Sequence, residues 1–153
     1  VFDVLDKIAV EGQPEPRLFG LACATLSVLE SAPPDRLIQT VTAFLVKGMA
    51  MHGYRPHVDS CLSCASTTGE WSGFSLESGG LLCRACGGSV TPLTPGARDA
   101  LAWMLRATMT EVVDRELPSR QAAEAFGLIR QFVSYHLPAR LKALELFAGG
   151  GVR

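Results

Sequence analysis

Cys61-Leu-Ser-Cys64 is followed, after 18 intervening residues, by Cys83-Arg-Ala-Cys86. A two-residue gap within each pair, with about 15 to 20 residues between the pairs, is the spacing of a four-cysteine zinc site. A two-residue gap lets one tight turn present two thiolates to the same ion, and zinc binds four thiolates as a tetrahedron. The pattern therefore predicts a zinc ion held by Cys61, Cys64, Cys83 and Cys86.

The segment between the two cysteine pairs predicts a β-hairpin. Ser72 to Leu76 alternates polar or small residues with apolar ones, Gly79-Gly80 breaks the chain, and Leu81-Leu82 returns it to the second pair. Together with its flanks, the region from 57 to 92 is interpreted as a zinc ribbon.

Two disulfides or two redox-active pairs are the alternatives to zinc. The chain has the apolar content of an ordinary intracellular domain, shows no signal peptide, and carries a fifth cysteine, Cys23, without a partner in a helical stretch. Cys23 is expected to be a small buried hydrophobe. These observations favour zinc, and four sulfur ligands leave no coordination position for a substrate or an activated water. The metal is therefore expected to hold structure and to do no chemistry.

The charge of the chain is close to balanced, with 14 basic and 15 acidic residues among 153. This balance offers no global basic excess for nucleic acid, but it is uneven along the chain. Residues 1–54 carry four basic and six acidic residues, whereas 98–153 carry eight basic and six acidic ones. The C-terminal half is therefore expected to present a modest positive face.

No apolar run approaches the roughly 20 residues of a membrane helix, and no charged-then-apolar leader is visible. The expected location is the cytoplasm. The chain opens on Val1 in what looks like the interior of an apolar helix, which predicts that it is a piece of a longer protein.

Apolar residues at helical spacing surround the ribbon on both sides. Helices are predicted over 1–10, 17–31, 34–52, 98–109 and from 119 onward, with Pro138 either bending the last one or starting another. Thr94-Pro95 is a suitable cap before the fourth helix, and Ser119 before the fifth. The predicted fold class is mainly α, a helical domain with an inserted four-cysteine zinc ribbon. Its parts are 1–56, 57–92 and 93–153, and the third is expected to pack with the first as one domain.

The order of these pieces resembles the C-terminal region of the RecO family of DNA recombination and repair proteins. An apolar helix runs into Gly53-Tyr-Arg-Pro56, followed by the two cysteine pairs, with Gly79-Gly-Leu-Leu82 before the second. The segment from Arg130 to Leu144 is similar to the closing helix of the family.

The resemblance implies a cytoplasmic, nucleoid-associated recombination mediator and no enzyme. RecO-like proteins bind single- and double-stranded DNA, anneal strands, contact single-stranded DNA-binding protein, and work with RecR, often with RecF, to load RecA. In that family an OB-fold domain precedes the region seen here. No run of five alternating strands occurs before Val58, so the sequence departs from the family pattern in lacking it.

Basic side chains near or after the ribbon are the candidates for contacts with DNA phosphates. They are Arg55, Arg84, Arg98 and Arg106. Each could equally be a solvated surface charge. Arg115 and Arg120 are left out because Glu111 and Glu124 stand four residues away as helical partners. Tyr54 and Trp71 are the candidates for stacking on bases, with packing near the metal as their alternative.

A protein-docking role is the alternative to DNA binding. Leu- and Phe-rich closing helices beside Arg130, Arg140 and Lys142 suit the acidic, apolar C-terminal tail of single-stranded DNA-binding protein. On this reading the chain is a stand-alone zinc-ribbon docking module that does not bind DNA. A zinc hydrolase or thiol oxidoreductase is a third hypothesis, but His52, His57 and His136 are too scattered to suggest a catalytic group.

Overall fold

The computed structural model describes residues 1–9, 14–68 and 70–137. The predictions that concern Pro138 and the residues after it, Arg140 and Lys142 among them, lie outside the described residues. Within the described part, the elements in chain order are α1 Phe2–Ile8, α2 Pro16–Leu29, α3 Leu37–Met51, β1 Trp71–Ser75, β2 Gly80–Cys83, α4 Pro95–Met104, α5 Met109–Asp114 and α6 Ser119–His136. A single 3₁₀ turn, Pro34–Arg36, leads into α3. The mainly helical fold class with a small inserted hairpin is confirmed.

Helix α3 lies at the centre of the helical body. It packs against α2, α4, α5 and α6. Five consecutive residues, Thr42 to Val46, are buried, so the helix is enclosed on more than one face. A helix that is apolar most of the way round is stable only when neighbours cover it on several sides. The sequence of α3 therefore selects the central position.

The fourth predicted helix is divided in the structure, which corrects the predicted span 98–109. Helix α4 begins at Pro95, with Thr94 as its N-cap as expected, and ends at Met104. A separate helix, α5, follows from Met109. Thr108 and Glu111 form a capping box, in which each side chain accepts a hydrogen bond from the backbone N–H of the other residue. This reciprocal pair starts a new helix.

Two smaller expectations are also wrong. Helix α6 begins at Ser119 with Pro118 as its N-cap residue, so Ser119 is the first helical residue and not the cap. Cys23 is exposed, because α2 buries the face that contains Leu18, Ala22 and Thr25. No helix among the described residues combines the length and hydrophobicity needed to cross a bilayer.

The ribbon is a two-stranded antiparallel hairpin, in which Phe74 pairs with Leu81 and Trp71 with Cys83. The segment around Thr91 extends it, because the backbone N–H and carbonyl groups of Phe74 and Thr91 exchange two hydrogen bonds of 2.8 Å. Gly73 permits this approach. A Cβ atom at that position would lie 2.5 Å from the carbonyl oxygen of Thr91, at a φ of +153°.

The ribbon docks onto helix α6 along a mixed apolar and polar seam. Phe74 of β1 meets Phe132 of α6 edge to face, with ring centroids 5.6 Å apart. Both rings are fully buried. The Nε2–H of His136 donates to the carbonyl oxygen of Leu76 at 2.8 Å. The ribbon is thus packed against the last described helix of the body.

Candidate functional site

The four predicted ligands, Cys61, Cys64, Cys83 and Cys86, come together at one end of the ribbon. Their sulfur atoms all lie within 4.8 Å of one another. A tetrahedron with metal–sulfur bonds of about 2.3 Å has edges of about 3.8 Å. The distance between the sulfurs of Cys64 and Cys83 is 3.8 Å. The cluster is therefore close enough to hold a metal ion.

Two similar turns present the four sulfurs. In the first, the N–H of Ala65 donates to the carbonyl oxygen of Cys61, and in the second the N–H of Gly87 donates to that of Cys83. Ala65 and Gly87 both have positive φ, at 58° and 63°. The residue after the second cysteine of each pair thus turns the chain back. Cys61 and Cys83 are buried, whereas Cys64 and Cys86 are exposed.

The surroundings of two of the thiols shift their pKa values in opposite directions. Hydrogen bonds from the backbone of Cys64 and then of Cys83 lower the pKa of the Cys61 thiol to about 6. The pKa of the Cys86 thiol is raised to about 12, because the lowering effect of the Ser63 hydroxyl is outweighed by the other three thiols and desolvation together. Four thiolates at this spacing repel one another, and a divalent cation relieves that repulsion.

The disulfide alternative does not describe this cluster. All five cysteines are free, and the 3.8 Å between Cys64 and Cys83 is far from the roughly 2.05 Å of a disulfide bond. Among the described residues, this is the one group of three or more His, Cys, Asp or Glu side chains arranged to hold a metal. The imidazoles do not join it. His57 bonds to the Ser60 hydroxyl at 2.7 Å and His136 to Leu76.

Three of the four arginines proposed to contact DNA lie in surface ion pairs. Arg84 pairs with Glu70 at 2.6 Å and Arg98 with the neighbouring Asp99 at 2.6 Å. Arg106 lies 3.3 Å from Asp59. Exposed pairs of this kind are weak and readily exchange partners.

Arg115 and Arg120 do not pair with Glu111 and Glu124, the helical partners expected from the sequence, so that expectation is wrong. Arg115 lies over the Trp103 ring at 4.5 Å, while Glu111 caps α5. Glu124, the expected partner of Arg120, instead accepts hydrogen bonds from the N–H and hydroxyl of Thr94. Both carboxylates therefore stabilise helix N-termini, that of α5 through Glu111 and that of α4 through Glu124.

Arg55, the fourth candidate, lines a cavity of about 570 Å³ that also receives Arg17 and Lys47. We call this the basic cavity. Glu15 contributes one carboxylate, and Leu18, Met51 and Leu105 are among its apolar lining. Burial, and then the charge of Arg55, lower the pKa of the half-buried Lys47. Its ammonium donates to the carbonyl oxygen of Leu105 at 3.4 Å. Three cations and one carboxylate thus line this cavity, and the charge of Glu111 also acts on Lys47 and opposes the lowering of its pKa.

Comparison with known proteins supplies the family. The family model described as "Recombination protein O C terminal" matches residues 1–145. The chain belongs to the RecO family.

Relatives named DNA repair protein RecO agree with this assignment. The Myxococcus xanthus protein is 33% identical over 142 residues, covering 92% of this chain and 56% of the relative. The Thermobifida fusca protein is 31% identical over 142 residues, covering 91% and 56%. The Pelobacter propionicus protein is 28% identical over 143 residues, covering 94% and 56%. The chain spans a little over half the length of these RecO relatives.

The aromatic side chains near the ribbon of this RecO-family chain differ in exposure, and one of them, Tyr135, is not among the residues predicted from the sequence. Trp71 is half-buried beneath Arg98, whose guanidinium carbon lies 5.7 Å from the ring. Tyr54 is 39% exposed and Tyr135 is 55% exposed. Both tyrosine rings contact the imidazole of His136. The signal for Tyr135 was its place four residues after Gln131, on the exposed side of α6.

Proposed function

We propose that this chain is the DNA- and protein-binding C-terminal region of a recombination mediator, and that it gathers strands and partners without transforming a substrate. The match of the RecO family model to 145 residues carries the proposal. The expected partners are single- and double-stranded DNA, RecR, the C-terminal tail of single-stranded DNA-binding protein and RecF, with RecA loading as the outcome.

Zinc is the proposed ion of the four-cysteine cluster. Thiolates are soft ligands, and a tetrahedral set of four sulfurs suits zinc among the common divalent ions. Cys61, Cys64, Cys83 and Cys86 would hold it. Zinc closed in by four sulfurs supplies folding energy to the ribbon.

The basic cavity is the proposed site for DNA phosphates. Arg17, Lys47 and Arg55 line it, and no ion pair joins any of them to a carboxylate among the described residues. Each phosphate that a cation neutralises releases a counterion. The logarithm of the affinity for a single strand therefore falls linearly with the logarithm of the salt concentration, with a slope of about −0.7 per contact. Three contacts would produce a measurable salt dependence.

The test is a salt series with a single-stranded oligonucleotide, with the full-length Myxococcus xanthus relative measured alongside. Replacing both Arg17 and Arg55 by Gln is expected to lower affinity and to reduce the slope of log affinity against log salt by about 1.4. Arg120→Gln, which removes an exposed cation outside the cavity, is the matched control. A flat salt response by the parent chain would exclude the phosphate-binding role.

A docking module without DNA binding is the second candidate. The basic cavity favours it too, because Leu18, Met51 and Leu105 offer apolar contacts beside the cations, which is what an acidic, apolar tail requires. Arg130, Arg140 and Lys142 remain the docking residues predicted from the sequence. Arg130 is half-buried on α6, and the other two lie beyond the described residues.

A labelled peptide with an acidic, apolar C-terminus separates the two candidates. If the cavity serves docking alone, the peptide binds, Arg55→Gln weakens it, and an oligonucleotide does not compete. If the cavity binds phosphates, the oligonucleotide displaces the peptide. Lack of peptide binding at high micromolar concentration would exclude the docking candidate.

A further inference from the structure

Four aromatic side chains form a row across the seam between the body and the ribbon. The His52 and Tyr54 rings lie 5.9 Å apart, Tyr54 and His136 4.7 Å, and His136 and Tyr135 5.0 Å. We call this set the aromatic row. It joins the end of α3 to the end of α6, and its two tyrosines are the only tyrosines in the sequence.

The row is held rigidly at its centre and is open at its tyrosines. His136 is half-buried, its ring packs edge to face on Phe132 at 4.5 Å, and its Nε2–H bonds to the Leu76 carbonyl. The two tyrosine rings on either side are exposed by 39% and 55%. Aromatic rings that contact a half-buried neighbour and remain partly exposed are suited to receive other flat rings, because ordering them costs little further entropy.

A small cavity continues the row beyond Tyr135. It measures about 220 Å³ and is lined by the Tyr135 ring, by Leu76 and Glu77 after β1, and by Ser89 to Thr91. This is smaller than the roughly 300 Å³ at which pockets for drug-sized ligands begin, so the space suits one flat ring. The carboxylate and hydroxyl groups supply hydrogen-bond partners for the edge of such a ring.

Two members of the row are sequence neighbours of residues in the basic cavity. His52 follows Met51 and Tyr54 precedes Arg55, and Met51 and Arg55 both line that cavity, together with Arg17 and Lys47. Cations beside exposed aromatic rings match the chemistry of a single strand, which presents phosphates and unpaired bases together. A duplex would offer its phosphates but keep its base faces stacked.

We propose that Tyr54 and Tyr135 are stacking platforms for the unpaired bases of single-stranded DNA, with a base entering the cavity beside Tyr135. This inference rests on the proposed DNA-binding function and assigns the bases a site distinct from the phosphates. The ribbon supplies one wall of that site, which gives the metal a part in DNA recognition through the structure it maintains.

The experiment compares a short single-stranded oligonucleotide with an abasic phosphodiester of equal length and charge. The zinc-loaded 153-residue chain should bind the oligonucleotide more tightly. Tyr135→Ala and Tyr54→Ala should each weaken oligonucleotide binding by about 5-fold or more, the effect of losing one stacked base, and leave binding of the abasic strand unchanged. Tyr135→Phe and Tyr54→Phe, which keep the rings, should bind like the parent.

Phe2→Ala removes an exposed aromatic outside the row and serves as the matched control. Metal content and helical circular dichroism together verify that the ribbon and the body of each variant fold. If the alanine variants weaken both ligands equally, or neither while the parent binds DNA, the stacking proposal is wrong and the DNA-binding function stands. If the parent binds neither ligand, both proposals are wrong.

Discussion

The helical body and the ribbon bury their interiors by different means. In the body, α3 alone contributes four buried apolar side chains, those of Phe44, Leu45, Val46 and Met49. Neighbouring helices surround α3. The ribbon has two short strands, and its apolar interior reduces to a few side chains such as Phe74 and Leu81. An isolated hairpin of this size is at best marginally stable in water. The comparison teaches that the ribbon depends on its sulfur cluster and on docking to α6, whereas the body depends on apolar burial.

Breaking the metal cluster should produce the largest effect and should separate the two regions. Cys83→Ser leaves three thiolates, and metal binding contributes about 10 to 16 kcal/mol in small zinc modules. We expect loss of the bound ion and of amide protection in 57–92, while helical circular dichroism persists. Cys23→Ser, at an exposed cysteine outside the cluster, is the control. Unchanged metal content and melting in Cys83→Ser would contradict the structural role of the ion.

Truncating a buried side chain in the body, which creates a cavity in its core, should have the next largest effect on stability. Phe44 is 1% exposed, and truncation of a buried Phe to Ala costs about 3 to 5 kcal/mol. Phe44→Ala should lower the free energy of unfolding by this amount in urea titrations while the folded variant retains its metal. Phe19→Ala, at a phenylalanine that is 72% exposed, should have little effect. Equal effects of the two substitutions would place the core elsewhere.

A buried polar contact tests how the body joins α3 to α5. The amide of Gln39, 1% exposed, donates to the backbone carbonyl oxygens of Val112 and Arg115. Gln39→Leu leaves both oxygens without this donor, which should cost about 1 to 3 kcal/mol. Gln131→Leu removes an exposed glutamine and is the matched control. Metal affinity should be unaltered in both variants, since the contact lies outside the ribbon.

The smallest predicted effect concerns the start of α5. Thr108→Ala removes the hydroxyl that accepts the hydrogen bond from the Glu111 N–H, and N-cap truncations cost about 0.5 to 2 kcal/mol. Thr108→Ser keeps the acceptor and should restore most of the loss. Thr110→Ala, two residues along and exposed, should not reproduce it. If Thr110→Ala matched Thr108→Ala, helix propensity and not capping would explain the change.

The four-cysteine cluster could be predicted from sequence because its geometry is local. Each cysteine pair lies within one turn, and the hairpin between the pairs brings the turns together. The sequence analysis predicted one continuous helix where α4 and α5 are separate. The capping-box pattern that marks the break, Thr108 followed three residues later by Glu111, is present in the sequence. Cys23 was misplaced for a different reason. Its side chain lies beside the buried face of α2, and an apolar stretch alone does not say which side meets the body.

The sequence by itself determined the four clustered cysteines, the hairpin that joins them and the helical class, since spacing and periodicity encode contacts between near neighbours. The resemblance to the RecO family came from the order of particular motifs along the chain. Only the tertiary structure decided which charges and rings share a surface. Arg17, Lys47 and Arg55 meet in one cavity, and Tyr54 meets Tyr135 across His136. Those residues are far apart along the chain, so their proximity depends on how α2, α3 and α6 pack.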